Sequence, residues 1–102
     1  KDAVRLSAAF LHNTVGGIFN IGAGEVATWN QLARAVFNAL NMPPRIEYID
    51  MPAALKQQYQ NYTRADMQKY RRCMQTETVC TFSLQEAVDD YVKNYLVPGK
   101  RW

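Results

Sequence analysis

The sequence predicts a small mixed α/β lobe of about four helices and two short strands, forming one domain over residues 1–102. Three observations predict it. Apolar residues recur at helical spacing in several segments. Two short runs, Ile18-Phe19-Asn20-Ile21 and Arg45 to Ile49, are rich in β-formers and stand on either side of one of those helices. A strand, a helix and a strand in that order imply a right-handed crossover and a small parallel sheet. Helix-start signals then punctuate the chain at Thr28, Thr63 and Ser83.

The elements follow in order. Residues 1–12 read as a helix, with Val4, Ala8 and Leu11 on one face and Ala9 and Phe10 beside it. Asn13 to Gly17 is a turn. Ile18–Ile21 is the first strand, broken by Gly22 and Gly24. Thr28-Trp29-Asn30-Gln31 is a capping box, in which the threonine hydroxyl accepts from a free helix amide and Gln31 reaches back. The helix behind it is predicted to bury Leu32, Val36, Phe37 and Leu40, and to stop before Met42-Pro43-Pro44, because proline disfavours the helical conformation of its predecessor. Arg45–Ile49 is the second strand, and Ala53-Ala54-Leu55 begins a short helix. A helix after Thr63-Arg64-Ala65-Asp66 carries Met67 and Tyr70. Another after Ser83-Leu84-Gln85-Glu86 carries Leu84, Val88, Tyr91, Val92 and Tyr95, and ends at Pro98-Gly99. Lys100-Arg101-Trp102 reads as a loose tail.

A two-stranded sheet is marginal alone, so the lobe is expected to need a partner surface. Phe10, Phe19 and Ile21 are the residues expected there, which points to self-association of the isolated chain.

Composition bounds the function classes. The chain is 48% hydrophobic and 21% charged, as in an ordinary globular domain. A net charge of +3 with dispersed basic residues favours a solvated surface over a nucleic-acid interface; only Arg64, Lys69, Arg71 and Arg72 cluster. No apolar run is long enough to span a membrane. Cys73 and Cys80 form no Cys-x-x-Cys pair, and His12 has no partner at metal spacing, so both cysteines read as reduced structural thiols in a cytoplasmic protein, with no metal.

Gly22-Ala23-Gly24-Glu25-Val26-Ala27 fits the G-x-G-x-x-[GA] pattern, and Glu47 and Asp50 follow about where a ribose-binding acid is placed. Two features oppose a dinucleotide site. The helix opens at Thr28, after the motif rather than inside it, and only one βαβ unit is present. The glycines read as a tight turn that needs positive φ. Asp89-Asp90 point about 100° apart on a helix and make a poor acid–base dyad. Tyr62, Tyr70, Tyr91 and Tyr95 read as packing residues. No residue has the surroundings of a catalyst.

Four strings carry a resemblance: Gly16-Gly17-Ile18-Phe19-Asn20-Ile21-Gly22-Ala23-Gly24-Glu25, Thr28-Trp29-Asn30-Gln31-Leu32-Ala33, Ile46-Glu47-Tyr48-Ile49-Asp50-Met51-Pro52 and Tyr59-Gln60-Asn61-Tyr62-Thr63-Arg64-Ala65-Asp66-Met67. In this order they resemble the C-terminal, substrate-binding part of bacterial nucleotide-sugar epimerases of the extended short-chain dehydrogenase/reductase type, most closely the heptose 6-epimerases. The resemblance implies a parent isomerase that binds NADP in an upstream Rossmann domain absent from this chain. That enzyme would oxidise and re-reduce C6 of ADP-glycero-manno-heptose for lipopolysaccharide core synthesis and assemble as a homo-oligomer. It implies that Tyr59, the first tyrosine of the Tyr-Gln-x-[Phe/Tyr]-Thr-x-Ala-Asp pattern, binds the ADP-sugar, and that this fragment alone has no catalytic residue, no cofactor and no activity. The segment from Arg72 to Thr81 departs from the family, which carries Gly-Tyr and Pro-Phe there. Two other readings stand beside it: another NAD(P)-dependent nucleotide-sugar epimerase or dehydratase, and a non-enzymatic basic helical module that binds nucleic acid or protein.

Overall fold

A computed structural model describes residues 1–77 and 79–100. The helices are α1 (Asp2–Ala8), α2 (Trp29–Ala39), α3 (Ala53–Lys56), α4 (Gln68–Met74) and α5 (Leu84–Tyr91). A 3₁₀ turn, Ala9–His12, extends α1, and a π turn, Val92–Leu96, extends α5. The chain divides into two compact units. One comprises residues 1–26 and 63–82, the other residues 27–62 and 83–102.

In the first unit, Leu6, Met67, Tyr70 and Val79 form a buried cluster, with Phe10, Phe19, Ala65, Met74 and Cys80 packed against it. The Phe10 ring lies 4.8 Å from Phe19 and 5.8 Å from Tyr70, both in tilted or edge-on arrangements that suit aromatic quadrupoles. The Tyr70 hydroxyl donates to the Leu6 carbonyl at 3.1 Å, so the buried phenol is satisfied. Asp2 ties the ends of the unit together. Its carboxylate accepts from the backbone N–H of Thr81 and of Phe82 and from the Thr81 hydroxyl. Arg5 also donates to Asp2, and to the Val79 carbonyl at 2.6 Å.

In the second unit α2 packs against α5. The contact runs through small residues: Ala35 and Ala39 are buried, as is Val92 in the π turn. Gln85 on α5 donates to the Ala35 carbonyl at 3.1 Å. Both expected capping boxes form. Thr28 and Gln31 bond reciprocally at the start of α2, and Ser83 and Glu86 do so at the start of α5. The helix α2 ends at Ala39, and Asn41 takes a positive φ of 53° before the prolines.

The fold is helical, and this corrects the expected α/β class: among the described residues there is no strand. Ile18–Ile21 and Arg45–Ile49 fall in different units, and neither meets a backbone partner of its own kind. Ile18 and Ile49 are 89% and 84% exposed. The first run is instead held by side chains: Lys69 Nζ donates to the Ile18 carbonyl at 2.8 Å, and Asn20 Nδ2 to the Asp66 carbonyl at 3.3 Å. β-propensity records fit to a half-buried pleated surface, and these segments have none.

Smaller corrections follow from packing. The first helix buries Leu6 and half-buries Phe10, while Val4 and Leu11 are exposed, so its core face is not the Val4-Ala8-Leu11 stripe. Phe10 and Phe19 serve the first unit's core rather than a free surface. In the helix that follows Thr63, the starting bond comes from Asp66, whose Oδ1 accepts from Gln68 N–H at 2.9 Å. Thr78, in the divergent Arg72–Thr81 segment, and the tail residues Arg101 and Trp102 lie outside the described residues.

Candidate substrate site

Tyr59 follows α3, in the second unit, and is 40% exposed. It is not a core residue. Its hydroxyl accepts a 2.6 Å hydrogen bond from the indole Nε1–H of Trp29. Trp29 is the first residue of α2, fixed there by the Thr28 capping box, and is 72% exposed. The next residue, Asn30, donates through Nδ2 to the Tyr48 hydroxyl at 2.8 Å, and Tyr48 is 74% exposed. Three aromatic side chains of one unit are thus linked to the opening turn of one helix, with much of their ring surface accessible. Trp, Tyr and Asn in this arrangement offer ring faces for stacking and hydroxyls for hydrogen bonds.

Sequence reasoning singled out Tyr59 but missed Trp29, Asn30 and Tyr48. Periodicity carries no signal for Trp29: at about 100° per residue it falls on the same stripe as Leu32 and Val36, three and seven positions on, and reads as a core residue, whereas it is 72% exposed. Tyr48 was assigned to a strand face that does not form.

Gly22–Ala27 does not form a dinucleotide cradle. A Cβ on Gly22 would sit 2.8 Å from the Ala65 Cβ, so this glycine permits close packing within the first unit. The Gly22 carbonyl accepts from the Cys80 thiol at 3.6 Å. Gly24 takes φ +73°, is buried, and its carbonyl accepts from Arg64 Nε at 2.7 Å. The backbone that a pyrophosphate would approach is engaged by the chain's own side chains, and the residues present do not fit a nicotinamide dinucleotide.

The remaining polar candidates are used structurally. Asp89 accepts from Gln85 and Lys93, and Asp90 from Asn94, so the two carboxylates have separate partners. The Gln85 bond, then Lys93, hold Asp89 below the usual carboxylate range. Burial pushes the Cys80 thiol up and nearby Asp2 adds to it, which disfavours the reactive thiolate. Cys73 and Cys80 are both free. Tyr70 is a core residue, Tyr95 is half-buried with Tyr91 stacked 6.1 Å away, and Tyr62 is exposed rather than packed. Among the described residues, no group of three or more His, Cys, Asp or Glu side chains could hold a metal ion, and no helix is long and apolar enough to cross a membrane.

Comparison with known proteins points in one direction. Over 94% of its length the chain is 43% identical to an ADP-L-glycero-D-manno-heptose-6-epimerase of Nitratidesulfovibrio vulgaris strain DP4. The chain is similar to part of the heptose 6-epimerases. Proteins of the same name from Alkalilimnicola ehrlichii and Fusobacterium nucleatum are 38% and 36% identical, again over 94% of the chain. The chain spans only 28–30% of the length of these epimerases. No protein-family model and no solved structure matches it. Similarity to epimerases over 94% of the chain favours the isomerase resemblance over a self-standing basic module.

Proposed function

We propose that this chain is the C-terminal substrate-binding part of an enzyme that interconverts ADP-D-glycero- and ADP-L-glycero-D-manno-heptose at C6, a cytoplasmic step toward the lipopolysaccharide core. The observation that carries the reading is the solvent-facing Tyr59, bonded to Trp29, within a chain similar to those epimerases along 94% of its length. Tyr59 binds the ADP-sugar through its ring face and hydroxyl. The nicotinamide cofactor, NADP in this reading, supplies oxidation and re-reduction of the sugar carbon and is held by an upstream domain, since Gly22–Ala27 is committed to packing. The assembled enzyme is a homo-oligomer.

The test compares the 102-residue chain with the longer protein encoded together with its upstream sequence. The longer protein is expected to invert C6 of the ADP-heptose, and the short chain to show neither turnover nor NADP binding. Tyr59→Phe in the longer protein is expected to lower kcat/KM a few-fold to about tenfold, the value of one hydrogen bond. Saturable micromolar NADP binding by the short chain would overturn the division of labour. An unchanged kcat/KM with a lowered Tm would return Tyr59 to a structural role.

A further inference from the structure

We propose that Trp29 is a positioning residue that sets Tyr59 as a hydrogen-bond donor toward an oxygen of the bound nucleotide sugar, an inference that rests on Tyr59 contacting that substrate. The argument is one of donors and acceptors. An indole N–H can only donate. In the 2.6 Å contact between Trp29 Nε1 and Tyr59 Oη the phenol oxygen must therefore accept. A phenol has one proton, and in this geometry that proton is directed away from Trp29. Without Trp29 the hydroxyl is free to rotate and to present either a lone pair or its proton. With Trp29 it presents the proton, which suits the acceptor-rich oxygens of a diphosphate or a sugar and forms its strongest bonds to anionic ones.

The arrangement is repeated one residue along. Asn30 Nδ2 donates to Tyr48 Oη at 2.8 Å, so a second phenol is also held as an acceptor by the opening turn of α2. That turn is itself anchored. The Thr28 hydroxyl accepts from Gln31 N–H at 3.1 Å, and Gln31 Oε1 accepts from Thr28 N–H at 2.7 Å. Trp29 is 72% exposed, so its ring is not explained by burial in the core, whereas the bond to Tyr59 accounts for its direction.

The experiment uses the 102-residue chain with Trp102→Phe, which leaves Trp29 as its single tryptophan, since the chain has two. In nitrogen-edited NMR the Trp29 indole N–H resonance is expected to move when Tyr59→Phe removes the acceptor, while the backbone spectrum stays dispersed. An unmoved resonance overturns the pairing regardless of ligand. Titration with ADP-glucose then reads the role of the pair. Tyr59→Phe and Trp29→Phe are each expected to weaken binding about three- to tenfold, and the double variant to bind no more weakly than Tyr59→Phe alone. An equal loss from Trp29→Phe in both backgrounds makes Trp29 an independent contact, overturning the proposal while leaving Tyr59 in the substrate site. Full-strength binding by Tyr59→Phe, or no saturable binding by the unsubstituted chain, overturns the assignment of Tyr59 to the substrate and the proposal with it.

Discussion

The two units spend their polar and aromatic groups differently. In the first, aromatic rings enter the core: Phe10 packs on both Phe19 and Tyr70, and the Tyr70 hydroxyl bonds the Leu6 carbonyl. Its charged groups hold backbone in place, with Asp2 on Thr81 and Phe82, Arg5 on Val79, Arg64 on Gly24 and Lys69 on Ile18. In the second unit the helix contact runs through Ala35, Ala39 and Val92, and the aromatics Trp29, Tyr48 and Tyr59 face solvent. Exposed rings oriented by hydrogen bonds are a poor use of a side chain for stability and a good one for recognition. The difference teaches that the first unit acts as scaffold and the second bears the candidate site.

The largest effect expected from that contrast is in the first unit's core. Leu6→Ala removes one of its most buried side chains and should cost about 2–5 kcal/mol by lost transfer energy and a residual cavity. Urea denaturation followed by circular dichroism measures it, and a loss below about 1 kcal/mol would break the scaffold assignment.

Next in size is an acid effect centred on Asp2. Burial raises its pKa, but the bonds from Phe82, Thr81 and Arg5 outweigh burial and hold the carboxyl well below its ordinary value of 3.8. A depressed native pKa stabilises the fold at pH values above the ordinary one. That contribution is lost as pH falls from about 3.8 toward the native value. The denaturation midpoint should therefore fall steeply below about pH 4, and Asp2→Asn should flatten the fall while lowering the midpoint at neutral pH. Glu86 and Asp89, also depressed, leave a residual slope from the second unit. A pH profile unchanged by Asp2→Asn would remove Asp2 from the scaffold.

Thr28→Ala should cost about 1 kcal/mol through loss of the helix cap, again read by urea denaturation. It should also loosen Trp29, which sharpens the link between cap and site. The smallest effect belongs to the site itself. Trp29→Phe should change stability by less than about 0.5 kcal/mol, because the ring is exposed. A Tm drop comparable to that of Leu6→Ala would make Trp29 a structural residue and erase the contrast between the units.

What the sequence revealed follows the range of the interactions. The capping boxes at Thr28 and Ser83 were legible because their partners lie three residues apart. The packing role of Tyr70 was legible from its place on a helix. The strands were not, since a ladder needs a distant partner: the first run is held by Lys69 and Asn20 side chains instead, and the second leaves Ile49 exposed. The core face of the first helix was misread because its apolar residues surround it, and contacts with Met67, Tyr70 and Val79 choose Leu6. Tyr59 was found through a motif. Its bond to Trp29, 30 residues away, lies beyond any periodicity.

The bonds of Asp2 to Thr81 span 79 residues, and both units are assembled from two separated stretches of chain. During synthesis, the first unit has its two halves only after residue 82 has emerged, and the second waits for α5 to follow. Neither unit is a vectorial folding module, and contacts of such high sequence separation slow folding. A single nick between residues 27 and 62 would leave the first unit's halves to associate without a covalent tie. A truncation ahead of Ser83 would remove the helix on which α2 packs, at the cost of the unit that holds Tyr59.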